Sequence, residues 1–340
     1  MRSRHRRLTY PCTKRTARLP PGTLWVHRTG ASRVSASPHT TSMRLAEMFK
    51  TPPVNEPGPE PKARDDDLDL FGMTHPGKVR AENQDHFLLC TVHPQVVIHG
   101  TSLPMPGDLP LRGQRLATIL LVADGVGGTS AGADASRLAT ETVTRYVTSS
   151  LRCYHTAGSA HETEFLDALR AAAFEAHEAV RSDSATRLHG QSTATTLTLG
   201  IVVWPWLYVV QVGDSRCYYY CDGTLRQVSR DQTVAQDLID QGLLSPARAS
   251  ASHLTNVLSS AIGASEAKPV VTRVAVGRLE SVIVVCSDGL TKHVSDDEIA
   301  DHLLTMQSSE QVCRALVDLA LERGGSDNIT VVIGRALRAK

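Results

Sequence analysis

The chain has 340 residues, enough for one large domain or two small ones, and its 41% hydrophobic and 21% charged content is that of an ordinary globular protein. A net charge of +1 argues against a generally basic protein that coats nucleic acid. The most apolar stretch, 197–212, is broken by Gly200 and Pro205, so it reads as two β-branched strands joined at Trp204-Pro205-Trp206 and excludes a membrane-spanning helix there.

Charge is unevenly spread. Residues 1–50 carry eleven Lys/Arg and a single acid, Glu47, which leaves the rest of the chain acidic. Residues 1–65 show no apolar periodicity, are rich in Pro, Ser, Thr and Arg, and are expected to be a disordered basic tail. A start upstream of the true one is the alternative reading, because Met43 opens a better helical stretch. The segment lacks the apolar core of a secretory signal, and its Arg-rich, acid-poor character resembles an organellar transit peptide as a lesser alternative. Asp65-Asp66-Asp67 reads as a solvated linker, and a single domain is expected over 66–340.

From Phe71 to Leu337 the apolar pattern is continuous. Runs of strand length occur at 118–123, 194–203, 207–212, 282–286 and 329–333. Helical spacing links Ala135, Leu138, Ala139, Val143, Tyr146 and Val147, then Phe165, Leu169, Ala172, Ala176 and Val180, and later Val312, Leu316, Leu319 and Ala320. Strands come in consecutive groups rather than alternating with helices, which predicts an α+β fold of mainly antiparallel sheets with helices outside. The Pro- and Gly-rich stretch 92–115 reads as a long loop. None of the seven cysteines forms a Cys-x-x-Cys pair, and reduced, mostly buried thiols are expected, as in a cytoplasmic protein.

The chemistry is concentrated where these runs end. Three of them close on an acid beside small residues: Ala123-Asp124-Gly125, Gly213-Asp214-Ser215 and Ser287-Asp288-Gly289. Asp327 immediately precedes the last run, and Asp85 lies just ahead of Leu88-Leu89. Any one of these is a common turn sequence. Several carboxylates at the rims of buried strands are costly and lift one another's pKa unless a cation joins them. With oxygen donors alone, and no His or Cys cluster, the pattern suits Mg²⁺ or Mn²⁺ rather than Zn²⁺. The Gly after an acid would let the backbone turn and bring its carbonyl to an ion.

In order, Arg80-Ala-Glu-Asn83-Gln84-Asp85, Val122-Ala-Asp124-Gly125-Val126-Gly127-Gly128, Val212-Gly-Asp214-Ser215-Arg216, Asp222-Gly223, Asp231, Asn256-Val257-Leu258, Cys286-Ser-Asp288-Gly289-Leu290 and Ser326-Asp327-Asn328-Ile329-Thr330 resemble the PPM (type 2C) metal-dependent serine/threonine protein phosphatases of bacterial type. The resemblance covers about residues 71–336. It implies a four-layer αββα sandwich, with two central β-sheets flanked by helices, and two Mn²⁺ or Mg²⁺ ions per active site with a third as an option. It further implies that Asp124 bridges two ions, that the Gly125 carbonyl binds one, and that Asp288 and Asp327 hold the other. Asp214 with Asp288 matches the third-metal site, Asp85 is expected to hydrogen-bond metal-held water, and Arg80 to grip the substrate phosphate.

Expected partners are phosphorylated Ser/Thr proteins and a Ser/Thr kinase that makes them; a monomer without nucleic-acid or membrane association is expected. Val126 stands where some eukaryotic members of that family carry a His, Gln232 where His is frequent, and Gln84 where Glu is frequent. His75, His86 and His253 are expected to be surface or structural residues. The alternative function is a catalytically weak phosphatase-like scaffold that binds phosphoproteins.

Overall fold

The computed structural model describes residues 58–338, apart from 96, 100–101, 103–110, 128–129, 158–160, 188–192 and 250–251. Most of the tail expectation therefore lies outside the described residues. In chain order the strands and α-helices are β1 (Leu68–His75), β2 (Asp85–Val92), β3 (Ala117–Val126), α1 (Ser130–Ala157), α2 (Glu162–Arg187), β4 (Ala194–Thr195), β5 (Leu197–Val203), β6 (Trp206–Val212), β7 (Arg216–Cys221), β8 (Thr224–Gln227), α3 (Val234–Asp240), α4 (Pro246–Ala249), β9 (Val270–Ala275), β10 (Val282–Cys286), α5 (Asp288–Thr291), α6 (Asp296–Leu304), α7 (Ser309–Glu322) and β11 (Ile329–Ala336).

Two antiparallel sheets form, ordered β1-β11-β10-β7-β8 and β2-β3-β5-β6-β9, with β4 paired to β3. Strand periodicity sorts their side chains into three cores. On β3, Ile119, Leu121 and Ala123 face outward under α1 and α2, while Leu120 and Val122 point between the sheets. On β10, Val282, Val284 and Cys286 face α5, α6 and α7, while Ile283 and Val285 point between the sheets. The expected αββα layering is present. Each fully buried Leu, Ile or Val in these cores contributes about 1.5–3 kcal/mol, enough to fix the strand register.

The helices bury the stripes that the spacing identified, with Leu138, Tyr146 and Leu319 only partly buried. Ala135, Ala139, Val143, Val147 and Leu151 line α1, and Phe165, Leu169, Ala172, Ala176 and Val180 line α2. Helix α6 starts in a capping box between Ser295 and Glu298, which satisfies amides at its first turn.

One local expectation changes. Asp65–Asp67 forms one 3-10 turn leading into β1, and Asp65 is paired with the buried Arg115 rather than left to solvent. Ahead of it, the Glu60 amide donates to the Gly277 carbonyl at 2.8 Å and Trp204 Nε1 donates to the Glu60 carbonyl at 2.9 Å. The 92–115 stretch keeps its expected loop character: it has no helix among its described residues, and one isolated bridge, Gln95 to Arg112, closes it.

Candidate metal centre

The same alternation delivers the carboxylates. Asp124 continues the Leu120, Val122 series of β3 and Asp85 heads the Phe87, Leu89 series of β2, so both enter from the layer between the sheets. They stand opposite each other in the β2–β3 register. Asp214 follows the end of β6, Asp288 follows β10, and Asp327 precedes β11, all at this same end of the sandwich. Arg80, Asp124, Gly125, Asp214, Asp288 and Asp327 line one cavity of about 230 Å³, and Asp85 lies buried beneath it.

The loops that carry them are tied down. Asn328 donates through Nδ2 to the carbonyls of Pro76 and Glu82, both at 2.9 Å, and accepts from the Gln84 amide at 2.9 Å. That clasp fixes the 80–85 segment, and with it Arg80, to the start of β11. Thr196 Oγ1 accepts from the Asp124 amide at 3.0 Å, while the Thr196 amide donates back to the Asp124 carbonyl at 2.8 Å. Asp85 Oδ2 accepts from Ser287 Oγ at 2.8 Å and Thr330 Oγ1 at 2.6 Å, which joins the two sheets through a single carboxylate.

The glycines act differently from the sequence expectation. Gly125 lies inside the β3–β4 pairing, and a Cβ there would sit 2.4 Å from the Gly132 carbonyl oxygen. At Gly289 a Cβ would come within 1.9 Å of the Asn328 carbonyl oxygen. Both glycines permit close packing of backbone on backbone rather than a turn. A turn glycine at this site is Gly213, at φ +104, and its amide donates to Gln232 Oε1 at 2.9 Å. Gln232 thus braces the loop that presents Asp214.

Electrostatics mark this end of the fold. Burial, reinforced by the charges of Asp85, Asp288, Asp214 and Asp327, pushes the Asp124 carboxyl well above its ordinary range. Burial, with Asp288 and Asp231 nearby, pushes Asp214 up to about 8. Burial raises Asp85 to about 6 against the hydrogen bonds from Thr330 and Ser287. Asp327 goes the other way: burial opposes its charge, but Arg80 and Lys292 outweigh that and hold it low. Asp231 belongs to the same motif series, yet Arg216 takes both its oxygens, at 3.0 Å from Nε and 2.7 Å from Nη2.

Among the described residues no three acidic, histidine or cysteine side chains are drawn together tightly enough to hold an ion as they stand. Lys292 accounts for part of the spacing, since its Nζ lies 2.7 Å from both Asp288 Oδ2 and Asp327 Oδ2. The donor set nevertheless fits hard divalent cations. Asp85 Oδ1 and Asp288 Oδ1 are buried with no hydrogen-bond partner, and the donors are oxygens only.

Every site residue expected from the sequence lies in the cavity wall or, for Asp85, directly below it. Lys292, Thr196, Ser287 and Thr330 were not singled out. The register of β10 and β11 puts Ser287 and Thr330 on the inter-sheet face, a signal that needs strand pairing to read. Lys292, four residues after Asp288, could have been found from helical spacing. The histidines are elsewhere: His75 Nδ1 accepts from the Gly77 amide at 2.9 Å and His86 Nδ1 bonds Ser136 Oγ at 2.9 Å.

The helix-flanked, two-sheet sandwich is shared with solved bacterial serine/threonine phosphatases. The protein phosphatase 2C family profile matches residues 111–323. The chain belongs to that family. It is 32% identical over 217 residues to the serine/threonine protein phosphatase PstP of Mycobacterium tuberculosis, covering 64% of this chain and 40% of the relative. It therefore spans about two fifths of that relative's length. The serine/threonine phosphatase stp of Listeria welshimeri is 30% identical over 215 residues, 63% of this chain and 83% of the relative. The catalytic domain of PstP, solved in complex with two manganese ions, superposes with a TM-score of 0.61 at 27% identity, covering 80% of this chain and 99% of that domain.

Proposed function

We propose that the protein is a serine/threonine phosphoprotein phosphatase that hydrolyses phosphoserine and phosphothreonine at a binuclear Mn²⁺ or Mg²⁺ site. The observation that carries this reading is the convergence of Asp124, Asp214, Asp288 and Asp327 on one cavity, with Asp85 below and two buried carboxylate oxygens lacking partners. The PstP catalytic domain with two manganese ions supports it.

In this reading Asp124, the Gly125 carbonyl, Asp288 and Asp327 would hold the two ions, and Asp214 with Asp288 would hold a third. Bound ions would supply Lewis-acid activation of water and neutralise charge on the phosphoryl oxygens. The chain's own residues do the rest. Arg80, whose guanidinium is half-exposed and bidentate on Asp327 (2.8 and 3.0 Å), can swing to grip two phosphate oxygens in the same planar geometry. Asp85, locked by Ser287 and Thr330, keeps one free oxygen to orient attacking water. The bond from phosphorus to the Ser or Thr oxygen breaks as the bond to water forms, and the water's proton passes to the leaving oxygen. Inorganic phosphate and the free hydroxyl result.

A Ser/Thr kinase must supply such substrates. A reducing, cytoplasmic setting suits the five described cysteines, all of them free, and a monomer acting in signal transduction belongs to the same proposal. No helix among the described residues is long and apolar enough to cross a membrane. The test is release of phosphate from a phosphothreonine peptide. Activity should vanish with chelator and return with Mn²⁺ more readily than with Ca²⁺. Binding of the phosphopeptide without turnover at any Mn²⁺ concentration would favour the scaffold alternative.

A further inference from the structure

Lys292 is the feature that the proposed reaction leaves unexplained. It is the first residue after α5, four beyond Asp288, and its amide donates to the Asp288 carbonyl at 2.8 Å, so its Cα is held beside the site. Its side chain reaches inward. Nζ lies 2.7 Å from Asp288 Oδ2 and 2.7 Å from Asp327 Oδ2, which are the two carboxylates read as sharing one ion. An ammonium that bridges two carboxylates at this distance occupies the place a divalent cation would take between them. Arg80 is ion-paired with Asp327, whereas Lys292 reaches both carboxylates.

Resting on the metal-site reading above, we propose that Lys292 is a resident, displaceable cation that competes with one divalent ion for Asp288 and Asp327. In the metal-free protein it stabilises the paired carboxylates; loading that ion requires the ammonium to leave. The stem allows this, being unbranched, flexible and 28% exposed along the cavity wall, whereas the carboxylates are fixed by α5 and by the Asn328 clasp. Two cations cannot share the same pair of oxygens at these distances without strong repulsion. The ion between Asp288 and Asp327 is therefore bound more weakly than one held by Asp124 and the Gly125 carbonyl. Loading of the enzyme then depends on the free concentration of divalent ion.

The experiment titrates Mn²⁺ by calorimetry into the full chain stripped with EDTA, comparing the natural protein with Lys292→Gln and Lys292→Arg. Lys292→Gln should bind one ion about tenfold or more tightly, with the other ion unchanged, and should melt lower than the natural protein when metal-free. Lys292→Arg keeps the charge and should stay within about threefold of the natural affinity. A second measurement needs no variant: amine acylation of the natural protein followed by mass spectrometry. Labelling of Lys292 should rise several-fold when Mn²⁺ is added, with other lysines unchanged. If the natural protein binds Mn²⁺ but Lys292→Gln binds it no more tightly, or if Lys292 labelling stays constant as Mn²⁺ binds, the displacement is wrong and the metal site stands. If neither chain binds Mn²⁺, the metal-site reading itself falls, and this inference with it.

Discussion

The two ends of the sandwich are built from the same strands and carry charge in opposite ways. At the end where β1 and β3 begin, each buried cation has its acid: Arg115 pairs with Asp65, and Arg335 with Asp69 at 2.9 Å. Between the sheets there, a small cavity of about 50 Å³ is lined mainly by apolar groups such as Leu120, Val202 and Ile283. At the other end, where β3 finishes and β11 begins, five acids face two cations, Arg80 and Lys292. A paired ion at a strand rim serves the fold; an excess of buried carboxylates opposes it. The excess is tolerable where divalent cations complete the charge, and it is therefore the signature of chemistry rather than of architecture.

If that contrast is right, the largest effects on rate must come from the unbalanced end. Asp124→Asn removes the carboxylate read as lying between two ions, and turnover on a phosphothreonine peptide should fall about a thousandfold, near 4 kcal/mol of barrier. The metal-free protein should melt at or above the natural temperature, because a buried carboxyl raised by its neighbours is replaced by a neutral amide. Steady-state kinetics and thermal melts on the same preparation check both halves. A near-normal rate would dissolve the distinction between the ends.

The contrast also explains what was legible in the sequence. Asp124, Asp214, Asp288 and Asp327 could be found because each interrupts or abuts a β-branched run, and a charge beside such a run stands out. The layers could be found because α1, α2 and α7 keep clean helical spacing. Other features needed the third dimension. β1 has intermediate burial along its whole length, and β8 alternates between exposed and half-buried, so neither gives a strong apolar signal. Arg115 looked like part of a loop, yet it is buried through pairing with Asp65, fifty residues away, and through donation to the Ala63 carbonyl. The glycines beside Asp124 and Asp288 suggested turns; that Gly125 packs on the Gly132 backbone of α1 and Gly289 on the Asn328 backbone ahead of β11 is visible only in the folded chain.

A smaller effect should follow from Asp214→Ala. If Asp214 serves only the Gly213 turn, the change should leave the rate alone, since Gln232 already braces that loop. If it takes part in a third, weaker ion site with Asp288, kcat should fall about tenfold, roughly 1.4 kcal/mol of barrier, while the tightly bound metal stays at two ions. Measuring kcat across Mn²⁺ concentrations, with metal content alongside, separates the two. An unchanged kcat at saturating Mn²⁺ would return Asp214 to the turn and shrink the unbalanced set by one.

The smallest effect on rate, none at all, is expected from the balanced end, and there the cost should appear as stability. Arg335 Nε donates to Asp69 Oδ2 at 2.9 Å and Nη2 donates to the Gln307 carbonyl at 2.6 Å, with both side chains largely buried. Asp69 Oδ2 also accepts from the Ser309 amide at 2.8 Å, at the N-terminus of α7. Arg335→Met leaves Asp69 without its cation and the Gln307 carbonyl without its donor, which should cost about 2 kcal/mol. For a domain of this size that is a drop of roughly 4–8 °C in Tm. Asp69→Asn added to Arg335→Met should recover part of the loss, since the amide oxygen still caps α7 while the orphaned charge is gone. The double-mutant cycle therefore separates the cost of an unpaired charge from the loss of packing. Through all of it kcat and Mn²⁺ affinity should stay at their natural values, because the pair stands at the far end of β11 from Asp327. A fall in kcat in Arg335→Met at temperatures where the chain remains folded would mean that the two ends are coupled through β11, and that charge balance at one rim helps to set the geometry of the other.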